Sequence, residues 1–181
     1  MPSNIEIKAR LTDPEFVKRT SLELSESKTA DILEQEDTFF NCQQGRLKLR
    51  VFKNQSDRVA KLISYERPDT TGPKHSLFSI TPIHEPEALK VTLTQALGVI
   101  GVVKKTRTLV HVGQTRVHID DVYGLGQFME LEVMMRPGQN HEEGAKIAKD
   151  LKKKLGIKET DLIDCAYMDL ILEQTQNGGT S

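Results

Sequence analysis

The sequence predicts an α+β fold built on an antiparallel sheet. Three observations carry this. Seven segments alternate apolar and polar residues with period two, as half-buried strands do. Four segments carry the apolar spacing of helices, with start and stop signals at their ends. Gly113-Gln114 and the run Tyr123-Gly124-Leu125-Gly126 read as hairpin turns between consecutive strands.

In chain order, residues 5–11 form the first strand. A helix follows over 13–26, with Asp13 as N-cap and Pro14 at its first position. Strands cover 36–41, 46–52 and 59–65. The stretch 68–82 holds Gly72 and several polar residues and reads as a long loop, placed to close over one mouth of the sheet. A second helix covers 87–97 and stops at Gly98. Strands at 102–112, 115–122 and 127–134 come next. A third helix opens at Asn140, with Glu143 three residues on, carries Ala148, Leu151 and Leu155 on one face, and ends at Gly156. The fourth covers 160–173, with Leu162, Ala166, Tyr167, Leu170 and Ile171 as its apolar stripe. Residues 1–173 make one domain, and 174–181 read as a disordered tail.

The chain has 181 residues, enough for one sizeable core. With 25 Lys and Arg against 26 Asp and Glu, its net charge is -1, which argues against a nucleic-acid-coating role. Cys42 and Cys165 lie too far apart in sequence for a metal-ligand pair, and reduced thiols of a cytoplasmic protein are the reading that fits. Neither an apolar leader nor a membrane-length apolar run is visible.

The chemistry lies on the polar strand faces. Ile5, Ile7 and Ala9 share one face of the first strand, opposite Asn4, Glu6, Lys8 and Arg10. Leu47, Leu49 and Val51 oppose Arg46, Lys48 and Arg50. Val117 and Ile119 oppose Arg116, His118 and Asp120. Leu131 and Val133 oppose Glu130 and Glu132, and Lys105 and Arg107 share a face. Solvated strands usually mix in Ser, Thr and Gln, yet these faces are nearly all charged and segregated by sign. The hairpin through Gly126 brings Asp120 toward the Glu130/Glu132 pair. Clustered carboxylates repel unless a cation sits among them, and oxygen ligands suit Mg²⁺ or Mn²⁺. Rows of Arg and Lys suit phosphate oxygens. One site with both has a natural ligand, a metal-bound polyphosphate. A closed barrel, apolar faces outward under the helices, has room for it.

The segment Asn4-Ile5-Glu6-Ile7-Lys8 resembles the ExExK signature of the CYTH superfamily, the triphosphate tunnel metalloenzymes. Further matches follow in order: the segments beginning at Gln35, Gly45 and Tyr65, then Lys105-Thr106-Arg107, the run from His118 to Gly126, Phe128-Met129-Glu130-Leu131-Glu132, and the run from Ala166 to Leu170. The resemblance covers nearly the whole chain and is nearest to the class IV adenylyl cyclase-like branch.

It implies an eight-stranded antiparallel β-barrel (tunnel) with flanking helices that binds a small-molecule triphosphate with Mg²⁺ or Mn²⁺. Glu6, Asp120, Glu130 and Glu132 are the implied metal ligands. Lys8, Arg46, Lys48, Arg50, Arg67, Arg107 and Arg116 are the implied phosphate-binding residues, and Glu6, Lys8, Glu130 and Glu132 the catalytic set. Asn4 departs from the signature, because an amide offers an oxygen but no charge. Three activities follow: hydrolysis of inorganic tripolyphosphate or of a nucleoside or organic triphosphate, cyclisation of ATP, or polyphosphate or nucleotide binding without turnover. Monomer and homodimer both stay open. His118 shares a face with Asp120 and can approach the ligand. His75, His84, His111 and His141 read as surface residues, Cys165 as a core residue of the fourth helix, and Tyr167 as a packing residue.

Overall fold

The computed structural model describes residues 1–57 and 59–178. Its strands are β1 (Ser3–Arg10), β2 (Asp31–Phe40), β3 (Arg46–Phe52), β4 (Ala60–Glu66), β5 (Lys74–Ile83), β6 (Val99–Val112), β7 (Thr115–Val122) and β8 (Gly126–Met134). Its helices are α1 (Pro14–Leu24), α2 (Pro86–Leu97), α3 (His141–Lys154) and α4 (Tyr167–Asn177). The strands close into an antiparallel barrel in the order β1-β5-β4-β3-β2-β6-β7-β8. Among the described residues no helix is long and apolar enough to cross a membrane.

Local chemistry sets most of the boundaries. The Asp13 carboxylate accepts the Phe16 N–H at 3.0 Å, and Pro14 stands at the start of α1. Asn140 and Glu143 form the reciprocal cap of α3, at 3.0 and 2.8 Å. Gly98 ends α2 with φ 77°. Gly45 opens β3 at φ +64°, where an added Cβ would stand 2.4 Å from the Tyr65 carbonyl oxygen, so only glycine lets β3 and β4 meet there.

Two expectations change. Residues 74–82, read as part of a loop, belong to β5, which pairs with β4 through Leu77–Ile83 and with β1 through Ser3–Glu6, closing the barrel. This segment shapes the wall rather than a lid. The fourth helix is split. A short turn at Glu159–Asp161 precedes an extended stretch, where Leu162 bridges to Ala9 and the Ile163 N–H donates to the Lys8 carbonyl. Cys165 lies in this link, and α4 begins at Tyr167. Residues 174–177, expected in the tail, continue α4, while 179–181 lie outside the described residues.

The barrel is inverted relative to a simple hydrophobic core. Outward-facing Ile5, Ile7, Ala9, Val117, Leu131 and Val133 pack against Val17 of α1 and against Ala148, Leu151 and Leu155 beneath α3. Burial of each such Leu or Ile contributes about 1.5–3 kcal/mol. The inner face is mostly charged, except at one end. There Phe39, Val103, Val122 and Phe128 meet Tyr167 and Met168 of α4 in a second buried cluster, which floors the tunnel.

Candidate triphosphate and metal site

Above that floor lies a cavity of about 300 Å³, within the range of small-molecule sites. Among the described residues, eight cationic side chains line it: Lys8, Lys48, Arg50, Lys61, Arg67, Lys105, Arg107 and Arg116. Five carboxylates do so: Glu6, Asp31, Asp37, Glu130 and Glu132. The surplus of positive charge suits a polyanion. Leu33, Phe52, Ile63, Phe78, Ile80 and Leu109 also line the cavity, toward strand ends away from α4, and Ile80 is 43 % exposed there.

Sheet register builds an acidic corner. Across β1 and β8, Glu6 stands opposite Glu132 and Lys8 opposite Glu130; across β7 and β8, Arg116 faces Glu132 and His118 faces Glu130. His118 Nδ1 is 3.8 Å from Glu130 Oε2, and Nε2 is 3.7 Å from Glu132 Oε2. One ligand atom from each of these three residues falls within 4.8 Å of the others. Burial, then the Glu130 and Glu132 charges, push the Glu6 carboxyl up to about 7, against the pull of Arg67 and Lys8. Burial also pushes Glu130 upward, but Lys8, His118 and Arg107 outweigh it and hold its pKa well below the carboxylate range. Asn4 Oδ1 is buried nearby without a hydrogen-bond partner.

A divalent cation fits this donor set. It would relieve the repulsion that Glu6 registers, and it would meet the unpartnered buried His118 Nδ1.

A second group centres on Asp37. Arg50 donates to both its oxygens at 2.7 Å, and the Lys105 and Lys48 ammoniums lie 3.1 and 3.2 Å away. Burial pushes the Asp37 pKa up, and the three cations together hold it well below normal. Burial pushes Lys105 down to about 7 and Lys48 to about 8, because one carboxylate cannot offset all three positive charges. A bound anion would complete the compensation.

Other cations also await an acceptor. Arg67 Nη1 donates to Glu6 Oε2 at 3.0 Å, but its Nε and Nη2 are buried without partners. Lys8 lies 4.1 Å from the Tyr167 ring centroid and, among the described residues, makes no ion pair. Burial pulls its pKa down. Fully buried donors of this kind are costly unless a ligand satisfies them.

Two sequence expectations take other places. Asp120, expected as a metal ligand, does not join the acidic corner. Arg107 Nε and Nη2 donate to its two oxygens at 2.7 Å each, and the Tyr167 hydroxyl donates to Oδ2 at 2.8 Å. Burial raises the Asp120 pKa, but Arg107 outweighs it and brings the carboxyl to about 2. Arg46, expected at the phosphates, lies outside the cavity lining and binds Asp169 at 2.8 Å and Asp69 at 3.3 Å, tying β3 to α4. Glu6, Lys8, Lys48, Arg50, Arg67, Arg107, Arg116, Glu130 and Glu132 do line one cavity.

Sequence reasoning assigned no role to Asp37, Lys61 or Lys74, and read Tyr167 as packing. The charged period-two face carries a signal for Asp37 and Lys61. Lys74 sat in the segment read as loop. It is buried, opposite Glu6, and donates to the Asp164 carbonyl at 2.9 Å. His111 lines the cavity although it is exposed.

The CYTH domain family model matches residues 3–167. The PH1012 protein from Pyrococcus horikoshii OT3 is 28% identical, superposes with a TM-score of 0.76, and the match covers 92% of this chain and 98% of that one. A Vibrio parahaemolyticus protein proposed to be an adenylate cyclase is 17% identical, with a TM-score of 0.73 and coverage of 93% and 97%. The Mimivirus capping enzyme triphosphatase is 11% identical, with a TM-score of 0.57 and coverage of 85% and 89%. The last two likenesses are of fold alone. No curated protein matches the sequence.

Proposed function

Since the chain belongs to the CYTH domain family, we propose that it is a divalent-metal-dependent triphosphatase acting on a small-molecule triphosphate in the barrel cavity. The observation that carries this is the juxtaposition of the Glu6/Glu130/Glu132 corner with a surplus of buried cations in one cavity. Glu130 and Glu132, with Glu6 beside them, would hold Mg²⁺ or Mn²⁺. Such an ion polarises a phosphoryl oxygen and makes water a better nucleophile.

The chain's own residues supply the rest. Lys8 of β1, Arg67 just beyond β4 and Arg107 of β6 would meet phosphate oxygens from one side of the cavity. Lys48, Arg50 and Lys105 hold the charge on the opposite side. Their fixed positions stabilise charge that builds on the phosphoryl oxygens, without reorganisation. Hydrolysis forms a bond from water oxygen to the terminal phosphorus and breaks the bridging P–O bond, releasing orthophosphate and leaving the bridging oxygen on the departing diphosphate. The water's proton passes to a carboxylate of the acidic corner. Asp120 acts behind Arg107 as a positioning residue.

The apolar strip of Leu33, Phe52, Ile63, Phe78, Ile80 and Leu109 favours a triphosphate carrying an organic group over bare tripolyphosphate. The same strip supports a second reading, cyclisation of ATP. Product analysis decides between them. The purified protein is incubated with Mg²⁺ or Mn²⁺ and, separately, tripolyphosphate, ATP, GTP and thiamine triphosphate. Orthophosphate release is expected, strongest from an organic triphosphate. Cyclic AMP with pyrophosphate would install the second reading. Binding without any turnover would reject both.

A further inference from the structure

We propose that His118 is an inner-sphere metal ligand, so that the site is a mixed nitrogen–oxygen centre favouring Mn²⁺ over Mg²⁺. The inference rests on the divalent-metal reading of the tunnel and deepens it.

The geometry comes from register. His118 sits between Glu130 and Glu132, with one ring nitrogen 3.8 Å and the other 3.7 Å from their carboxylate oxygens. All three can offer an atom within 4.8 Å of the others, a span one ion can bridge. The residue is 3 % exposed, and its Nδ1 is buried without a hydrogen-bond partner. A ring flip exchanges the two nitrogens at the same place. On the neighbouring strand, Asn4 supplies an amide where a carboxylate would add charge. The corner therefore has an imidazole available and one carboxylate fewer.

Donor chemistry then sets metal preference. Mg²⁺ demands oxygen ligands and sheds water reluctantly, whereas imidazole nitrogen suits first-row transition ions. The competing role for His118 is a cationic partner to the two glutamates. That role supplies no nitrogen to the metal and would not discriminate between Mn²⁺ and Mg²⁺.

The test uses the full chain and Mn²⁺ itself as the probe. Pulsed EPR of the Mn²⁺-loaded protein should show ¹⁴N coupling, converted to the ¹⁵N pattern on labelling with ¹⁵N-histidine. His118→Gln should abolish the coupling and weaken Mn²⁺ binding by about 10-fold or more. Its Mg²⁺ affinity should stay within about 3-fold, because oxygen ligands carry that ion. His111→Gln, at the other histidine of the cavity, should keep the coupling. Mn²⁺ bound without nitrogen coupling in the wild type would overturn the ligand role and leave the metal reading standing. So would equal losses of Mn²⁺ and Mg²⁺ affinity in His118→Gln. Failure of the wild type to bind Mn²⁺, with or without tripolyphosphate, would overturn both. The labelled wild-type spectrum, read together with that of His111→Gln, decides even if His118→Gln fails to fold.

Discussion

Arg107 and Asp120 form a two-point ion pair sealed inside the barrel, with Nε and Nη2 each 2.7 Å from a carboxylate oxygen. The Tyr167 hydroxyl adds a third hydrogen bond at 2.8 Å. Arg107 Nη2 also reaches Glu130 Oε2 at 3.3 Å, so one guanidinium links the barrel floor to the acidic corner. Asp120→Asn leaves that buried cation short of charge. A stability loss of about 3–5 kcal/mol is expected by urea unfolding, because breaking a buried pair strands its partner. Tyr167→Phe removes one hydrogen bond and should cost only about 1–2 kcal/mol. Equal losses in the two variants would mean that Asp120 does not anchor Arg107.

How much of this was legible follows from which residues carry a local signal. The inward charged face and outward apolar face of β1, β3, β7 and β8 follow from alternation alone. β5 lacks that contrast: its inner positions run Lys74, Ser76, Phe78, Ile80 and its outer ones His75, Leu77, Ser79, Thr81, between Pro73 and Pro82. Only pairing with β1 and β4 makes it a strand. The stripe from Leu162 to Ile171 has helical spacing, but Leu162 and Ile163 bond to β1 instead. Asp120 was assigned to the right face. Its choice of Arg107 over a metal depends on the β6–β7 register, which a single strand does not reveal. The pairing of Arg46 with Asp169 is equally invisible in β3 alone, since that partner arrives from a distant helix.

Glu130→Gln and Glu132→Gln should each lower metal-dependent turnover by at least about 100-fold, the scale of losing a principal charge-stabilising group. Each should retain a cooperative thermal transition, because the apolar packing lies outside the barrel. Turnover is measured against Mg²⁺ and Mn²⁺ concentration. Near-normal rates in both variants would remove the acidic corner from the mechanism.

Glu6 and Lys105 give the ligand-free protein a distinctive pH profile. The Glu6 carboxyl is raised from 4.5 to about 7, so between those values the folded state holds a proton that the unfolded state has lost. Its contribution is present below pH 4.5 and is lost as pH rises through 7. Lys105 is lowered from 10.5 to about 7, so its penalty is full below pH 7 and disappears as pH climbs toward 10.5. Together they place a dip in stability near neutral pH. Melting temperatures at pH 5, 7 and 9 should show it, and Glu6→Gln should abolish the fall between pH 5 and 7. A rise from pH 5 to 7 in the wild type would contradict the raised Glu6 carboxyl.

Arg46 and Arg50 are four residues apart on one strand face but have different partners, so they should fail differently. Arg46→Ala releases α4 from β3, at a half-exposed pair worth about 1 kcal/mol. Its affinity for tripolyphosphate should hardly change. Arg50→Ala removes a cation from the cavity and should weaken tripolyphosphate binding by about 10-fold or more, as loss of a charge-assisted contact does. Isothermal titration with each variant separates the two, and a large affinity loss in Arg46→Ala would return that residue to the phosphate site.

Asn4→Glu restores the carboxylate that the ExExK pattern carries. Asn4 is 3 % exposed and its Oδ1 has no partner, so a glutamate there would place charge beside Glu6, whose carboxyl burial and its neighbours already raise. Two opposite effects follow from that one charge. Without metal, a further buried anion adds to the repulsion that already raises Glu6, and the variant should melt below the wild type at pH 8. With Mn²⁺ or Mg²⁺ the same anion becomes an attraction, so the melting temperature should rise more steeply with metal concentration than it does in the wild type. Turnover should increase if the amide limits metal occupancy. A melting temperature that rises with metal concentration no more steeply than in the wild type would mean that position 4 lies outside the reach of the cation, and that Asn4 is a wall residue of β1.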